Sequence, residues 1–151
     1  MKLLYRGTRD GMDHNSFHNK CNNKGPTISL FKNDKGNIFG GYASTDWTSY
    51  NGSKSAPDSF IFTLTNIHGT EPTKFANSNT SQSIYDHSNY GPTFGGCSDI
   101  ETLYSSNNSS ASNFPNAYQD ILGKGKSIFT GDLNNNNNKF NLKEIEVFKI
   151  F

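Results

Sequence analysis

Two strand-like runs separated by a short polar turn constrain the fold of this chain more than any other feature. Residues 27–32 and residues 37–42 both contain the β-branched and aromatic side chains that are enriched in strands. The four residues between them end in Gly36, which can adopt the left-handed backbone conformation that a tight turn requires. The pattern predicts a β-hairpin, the unit from which antiparallel sheets are built.

Other segments extend the strand pattern along the chain. Residues 59–65 alternate, with Phe60, Phe62 and Leu64 on one face, and predict a further strand. Further strands are predicted at residues 3–6, 83–87, 127–130 and 140–151. The chain therefore consists mainly of short strands separated by turns.

Helical signals are confined to one segment near the start. Asp13 can cap a helix that ends near Asn22. Residues 44–58 are predicted as a polar loop, and residues 105–117 as a long mobile loop rich in serine and asparagine. Strands alternating with turns, and a single helix, predict a mainly β (α+β) fold with antiparallel sheets packed on each other.

The composition shows what can fill the core of such a fold. A chain of 151 residues suits one domain, spanning residues 1–151. Its 12 Phe, 7 Tyr and 1 Trp replace the aliphatic side chains that are scarce here, so the core is expected to be aromatic. Its 21 Asn and 18 Ser imply that much of the chain forms turns and loops.

Charge, hydropathy and cysteine content narrow the function classes. The chain has 14 Lys+Arg and 13 Asp+Glu, a balance that argues against a dedicated nucleic-acid binder. No apolar run approaches the length of a membrane span or a signal-peptide core, so we expect a cytoplasmic protein without membrane insertion. Cys21 and Cys97 are too few for a disulfide scaffold, and we expect both thiols to be reduced.

Two loops partly match known ligand-binding motifs. Residues 123–127 end like a phosphate-binding loop, but Asp120 replaces the first glycine of that motif and a strand is expected to follow. Residues 132–136 begin like a calcium loop, but Asn137 and Lys143 replace its glycine and its bidentate glutamate. We interpret the first as a basic turn and the second as an asparagine-rich hairpin loop.

Histidines and cysteines suggest two further sites. His14, His18 and Cys21 would share one face of the predicted helix, a spacing compatible with zinc, but no second group of His or Cys completes the ligand set. The alternative is that His18 makes local hydrogen bonds and Cys21 packs as a small apolar side chain. Cys97 and His87 could form a nucleophilic pair, although only their proximity in sequence supports it.

The last predicted strand contains a carboxylate in an apolar setting. Ile145 and Val147 lie on one face of this strand, and Glu146 lies on the other face with Phe148. Because both faces carry apolar residues, the strand is expected to be central and Glu146 to be paired or partly buried. Glu146 is either an ion-pair partner of Arg6 or Arg9, or a functional carboxylate with a raised pKa.

Five segments together resemble the TLDc domain, the module shared by oxidation-resistance proteins and some Rab-GAP-like proteins. The segments are residues 3–11, 17–27, 36–42, 91–100 and 144–148, and their order and spacing agree with the family over nearly the whole chain. The motif residues are Arg6, Arg9, Asp10, Gly11, His18, Gly25, Pro26, Gly40, Gly41, Gly91, Pro92, Phe94, Gly95, Gly96, Asp99, Glu144 and Glu146.

The resemblance implies a fold and a function. The fold would be two antiparallel sheets packed as a sandwich, with short flanking helices. The function would be protection against oxidative damage, and several family members associate with the vacuolar proton ATPase. The family has no generally accepted reaction, and we expect neither a cofactor nor a metal.

Two function classes follow. The leading hypothesis is a non-enzymatic interaction domain, monomeric, that acts in oxidative-stress protection through a protein partner such as the vacuolar ATPase. The alternative is an enzyme, either a hydrolase or a thiol-dependent redox protein, with Glu146, Asp99, His18 or Cys97 as candidate catalytic residues. An enzyme should bring polar groups together in a deep pocket, whereas an interaction domain should present an exposed surface patch.

Overall fold

A computed structural model describes residues 1–134 and 136–151, and their regular structure is mainly strand. The strands are β1 (Lys2–Arg6), β2 (Thr27–Asn33), β3 (Ile38–Ala43), β4 (Gly52–Lys54), β5 (Phe60–Thr65), β6 (Thr73–Ala76), β7 (Ile84–Asp86), β8 (Glu101–Tyr104), β9 (Ser109–Ala111), β10 (Lys139–Phe140) and β11 (Leu142–Lys149). The α-helices are α1 (Gly7–Asp10), α2 (His14–Cys21) and α3 (Ser127–Thr130), and a 3-10 turn spans Thr80–Gln82.

The largest sheet has six antiparallel strands in the order β1-β11-β2-β3-β5-β6. Its centre is the predicted hairpin, in which β2 pairs with β3 and Gly36 takes a φ of 83° in the turn. The strand at the C-terminal end, β11, lies between β1 and β2, so the predicted central position of this strand is confirmed. The first and last strands of the chain are therefore neighbours in one sheet.

Two smaller sheets contribute to a second layer. One contains β10, β9 and β8, and the other pairs β4 with β7. Aromatic rings join the second layer to the large sheet. The ring centre of Phe39 in β3 lies 5.3 Å from that of Phe140 in β10 and 5.1 Å from that of Phe129 in α3. The core between the layers is built largely from Phe, Tyr and Trp, as the composition predicts. The predicted mainly β fold is confirmed, with the second layer divided between two small sheets.

The predicted helix is confirmed as α2. The Asp13 carboxylate accepts a hydrogen bond from the backbone N–H of Ser16 at 2.8 Å, which satisfies one of the free donors at the helix start. Phe17 and Cys21, four residues apart, are both fully buried against the core.

The prediction of a strand at residues 127–130 is wrong, because these residues form helix α3. All four residues of α3 are buried, so the segment has no exposed face that would give the 3.6-residue periodicity of a helix. Its carbonyl groups are satisfied by amide side chains from the hairpin: Asn33 donates to Phe129 O at 2.8 Å, and Asn37 donates to Ile128 O at 3.2 Å. The two amides thus supply donors to carbonyl groups that, in an extended segment, would need the N–H groups of a neighbouring strand.

The prediction of a long mobile loop at residues 105–117 is wrong in its middle part. Strand β9 lies there and pairs with both β8 and β10. Ser110 is buried at the centre of this small sheet, opposite Phe140. Serine has a low preference for strands, so the local sequence did not predict a strand whose partners are elsewhere in the chain.

In the part of the chain that the structure describes, no helix has the length and apolar character needed to cross a membrane.

Candidate functional site

Glu146 forms an ion pair with Arg6, as one of the two sequence interpretations predicts. Strands β1 and β11 place the two residues directly opposite each other. One carboxylate oxygen, Oε2, accepts hydrogen bonds from Arg6 Nη2 at 2.6 Å and from Arg6 Nε at 2.8 Å. The Glu146 side chain is 26% exposed and that of Arg6 is 43% exposed, so the pair lies at the sheet surface in contact with solvent.

The other charged motif residues at this end of the sheet also bind protein groups. Arg9 pairs with its neighbour Asp10 at 2.8 Å, and this hydrogen bond holds the pKa of Asp10 well below its usual range. Glu144 accepts hydrogen bonds from the backbone N–H and the hydroxyl of Thr8. Burial opposes ionisation of Glu144, but these donors outweigh it and the pKa of Glu144 is lowered.

Asp99 is a buried carboxylate bound by backbone N–H groups. It accepts hydrogen bonds from the backbone of Asn116 at 2.7 Å, Ala117 at 2.9 Å and Tyr118 at 3.1 Å. Burial raises the pKa of Asp99, and the three donors act in the opposite direction. With its side chain fully buried, Asp99 fastens residues 116–118 to the turn before β8.

His18 is also bound to the protein framework. Its Nδ1 lies 2.8 Å from Asn22 Oδ1, and its Nε2 lies within 2.9 Å of the carbonyl oxygens of His87 and Tyr90. The predicted local hydrogen bond of His18 is therefore confirmed. Among residues 1–134 and 136–151, no group of three or more His, Cys, Asp or Glu could hold a metal ion.

The two cysteines are free and lie in different environments. Cys21 is buried, whereas Cys97 is exposed, and no disulfide joins them in this structure. The His87 ring stacks on Tyr85 and accepts a hydrogen bond from the backbone of Asn89. Within the described residues, no hydrogen bond joins His87 to the Cys97 thiol.

The loop that ends like a phosphate-binding motif contains its own anion. The Asp120 carboxylate accepts hydrogen bonds from the backbone N–H groups of Leu122, Gly123 and Gly125. A helix, α3, follows this loop, where the sequence predicts a strand. The backbone donors that would bind a phosphate are nevertheless occupied by Asp120, which supports the interpretation as a structural turn. The calcium-like segment includes Asn135, which lies outside the described residues.

A polar cleft lies beside the three-stranded sheet. Its volume is about 480 Å³, and asparagine and serine side chains of residues 107–110 and Asn141 line much of it. Lys139 is the charged residue among its lining residues, and Glu146, Asp99, His18 and Cys97 are all absent from them. The structure therefore does not bring the four candidate catalytic residues into this cleft.

The solvent-facing side of the six-stranded sheet is apolar over several strands. Pairing registers place Glu146, Leu30, Gly40 and Phe62 in one row across the sheet, with Lys74 on the edge strand. The next row contains Phe148, Ile28, Tyr42, Phe60 and Ala76. We call the apolar residues of β2, β3 and β5 on this surface the outer face: Ile28, Leu30, Tyr42, Phe60, Phe62 and Leu64, of which Phe62 is only 7% exposed. Residues of the opposite side, such as Phe31, Phe39 and Ile145, are fully buried in the core.

A groove of about 350 Å³ runs along the outer face between Ile28 and Leu30 on one side and β5 and β6 on the other. Gly40 has no side chain to fill it, and the Phe62 ring lies over the Gly40 backbone, where a Cβ atom would come within 2.7 Å of the ring. Lys74 stands at the edge with its Nζ 4.3 Å from the centre of the Phe60 ring. Leu64 is 42% exposed. Sequence alternation grouped Phe60, Phe62 and Leu64 correctly but did not show that this side faces solvent.

These observations define a mainly β, two-layer fold whose charged motif residues hold the backbone and whose largest sheet presents an apolar face. The chain belongs to the TLDc domain family, because the family model for the TLDc domain matches residues 1–151, its whole length. A search of curated proteins finds no significant match.

Proposed function

We propose that this chain is a non-enzymatic interaction domain of oxidative-stress protection, and that it binds its protein partner through the outer face. The observation that carries the proposal is the apolar groove on the large sheet, bounded by residues that are ordinarily buried in a protein core. Membership of the TLDc family supports the role in oxidative-stress protection.

The chemistry of the groove specifies the kind of segment that fits it. Its lining is apolar except for two threonines and Lys74, which is the charged residue at the rim. A partner segment with apolar side chains for the groove and an acidic side chain for Lys74 would match it in both shape and charge. We propose the vacuolar proton ATPase as the protein that supplies this segment, in line with the resemblance described above.

The contacts of three of the four candidate catalytic residues support a non-enzymatic role. Glu146 is engaged by Arg6, Asp99 by three backbone donors and His18 by two carbonyl oxygens. A general acid or base must be free to exchange a proton with a substrate, and these contacts would have to break first.

The test uses an exposed position of the outer face and a matched exposed position elsewhere. Leu64→Asp places a charge in the groove at a site that is 42% exposed, and Ile121→Asp makes the same kind of change at a site that is 67% exposed outside it. Both variants should melt like the wild type. Leu64→Asp should lose binding to purified vacuolar ATPase and should fail to protect cells from peroxide, while Ile121→Asp retains both.

Two results would separate the parts of this proposal. Wild-type protein that does not bind the purified ATPase would refute that partner. Leu64→Asp protein that folds and protects cells as well as the wild type would refute the outer face as the docking surface.

A further inference from the structure

Four aromatic rings cluster at the surface of the second layer, which contains β7 and β8, away from the outer face. Tyr85 stacks on His87, and both contact Tyr90 edge-on, with ring centres 5.1 Å and 5.5 Å from that of Tyr90. Tyr90 in turn stacks on Tyr104, with ring centres 4.3 Å apart and planes inclined by 26°. Neither the core nor the proposed docking surface uses this cluster.

We propose that Tyr90 and Tyr104 form an oxidation site at which one-electron oxidants link the two rings into a dityrosine within a single chain. The reaction needs two phenol rings in contact, and a stack with ring centres 4.3 Å apart and planes inclined by 26° provides that contact without a collision between molecules. This inference does not depend on the proposed function.

The backbone holds the two rings in register. The N–H of Gly91 donates to Thr102 O at 2.8 Å, and the N–H of Ser105 donates to Asn89 O at 2.9 Å. These two backbone hydrogen bonds flank the tyrosines, one on each side. Tyr90 and Tyr104 are held as a pair between the two bonds. The backbone therefore keeps the two tyrosines next to each other in the folded chain.

The chemistry balances with an oxidant of stated class. Each phenol transfers one hydrogen atom to a peroxyl radical, which becomes a hydroperoxide, and two phenoxyl radicals remain on the protein. Their unpaired electrons combine in a carbon–carbon bond between ortho positions, and the two hydrogens displaced from those carbons return as protons to the oxygens. The product is two coupled phenols, two hydrogens lighter than the starting protein, and two peroxyl radicals have been reduced.

Accessibility and protonation suit this reaction. Tyr104 is 40% exposed and can meet an oxidant directly. Burial, followed by the nearby Glu101 carboxylate, raises the pKa of Tyr90 to about 12, so at neutral pH this phenol retains its proton until oxidation. Tyr85, in edge contact with Tyr90, can pass a radical on to the pair.

The remaining tyrosines lack this geometry. Tyr5 and Tyr118 are buried and donate their hydroxyl groups to backbone carbonyls. Tyr42 packs against a phenylalanine ring of the outer face. Tyr50 is 64% exposed, and Lys54 Nζ lies 5.8 Å from the centre of its ring. Tyr50 is thus the matched control, since it is more accessible than Tyr104 but has no tyrosine partner among the described residues.

The experiment exposes the purified protein to peroxyl radicals from a water-soluble azo initiator. Dityrosine is followed by its fluorescence, and the cross-linked peptide is mapped by mass spectrometry after proteolysis. Wild type and Tyr50→Phe should give a monomeric product, two hydrogens lighter, that joins Tyr90 to Tyr104. Tyr90→Phe and Tyr104→Phe keep the stacked ring but lack one phenol, and each should lose most of the monomeric dityrosine.

Two further measurements make the outcome decisive. The yield of monomeric product should not change when the protein is diluted, and it should fall when the protein is first unfolded in urea. Overturning results would be dityrosine that appears only in covalent dimers, a cross-link that maps to Tyr50, or an undiminished monomeric yield in Tyr104→Phe protein with a wild-type melt.

Discussion

At the scale of single residues, carboxylates in this protein mainly hold loop backbone. Asp86 is fully buried, accepts backbone hydrogen bonds from Thr48 at 2.8 Å and Ser49 at 3.1 Å, and pairs with Lys54 at 3.1 Å. Asp99 and Asp120 bind runs of backbone N–H groups in the same way. A chain with few aliphatic residues and many loops needs such contacts, because a buried N–H group without a partner is costly.

Gly41 tests how closely the two layers approach each other. A Cβ atom at this position would lie 2.5 Å from the Phe94 ring, which is itself fully buried. Gly41→Ala should therefore lower the free energy of unfolding by about 1–3 kcal/mol, the usual cost of overpacking a core. Gly52→Ala is the control in thermal or urea denaturation, since its nearest neighbour would be 3.5 Å away. Equal stability of the two variants would contradict the close approach.

The two cysteines should differ sharply in reactivity. Burial raises the pKa of the Cys21 thiol to about 12, whereas Cys97 is exposed. Thiolate is the reactive form, so a thiol reagent at neutral pH should modify one cysteine quickly in the native protein and the second only after unfolding. Cys97→Ser should abolish the fast phase. Two fast thiols, or none before reduction, would show that the environments differ from those described.

Glu146→Gln measures the contribution of the Arg6 pair. Because both side chains are partly exposed to solvent, the variant should lose about 0.5–1 kcal/mol of stability, the range for surface pairs. Partner binding should fall only as far as folding does. Glu71→Gln, an exposed site, is the control in the same melts. A Glu146→Gln protein that melts like wild type but loses all function would support the catalytic alternative.

At the scale of elements, polar side chains decide where several segments lie. Helix α3 is fixed by Asn33 and Asn37 of the hairpin, and the segment before it is fixed by Asp99. Within the small sheet, the hydroxyl of Ser112, next to β9, donates to Asp99 O, next to β8, at 2.7 Å and closes the open end of that pair of strands. Distant polar contacts therefore position the second layer on the large sheet.

Asp99→Asn tests this role at the level of the segment. The amide NH₂ of asparagine would face backbone N–H donors that the carboxylate now accepts, leaving at least one buried donor without a partner. We expect a loss of about 1–3 kcal/mol in urea denaturation and faster hydrogen exchange at Ala117 and Tyr118. Asp58→Asn, at an exposed site, is the matched control. Unchanged exchange at both amides would rule out the fastening role.

At the scale of the whole molecule, the large sheet joins the two ends of the chain. Strand β11 pairs with β1 on one side and β2 on the other, so it occupies an interior position although it comes last in sequence. Its buried residues Ile145 and Val147 belong to the central core. The sheet is complete only when the last strand has been inserted.

Removal of β11 should therefore prevent folding. A chain that ends after Asn141 exposes the edges of both β1 and β2 and lacks two core side chains, so we expect neither a cooperative melt nor dispersed NMR amide signals. A chain that lacks only Phe151, which is 90% exposed, should fold like the full chain. Cooperative unfolding of the shorter chain would refute the central role of β11.

Much of the fold could be predicted from local sequence patterns. The hairpin, the Asp13-capped helix and the central position of the last strand follow from alternation, a turn glycine and a capping side chain, which act over a few residues. Pairing Glu146 with an arginine near the start was also predictable, because an ionised carboxylate beside apolar residues needs a partner. Strand β9 was not predictable, since its serines give no strand signal.

The sequence by itself determined which residues share a face, and the tertiary structure alone decided which face is exposed. Alternation groups Phe60, Phe62 and Leu64, but both sides of the hairpin and its neighbours carry apolar residues, so the local pattern does not identify the solvent side. The inner side became the core because Phe94, Phe129 and the other rings of the second layer cover it. Only long-range packing could make that choice, and it left the outer face uncovered by the second layer.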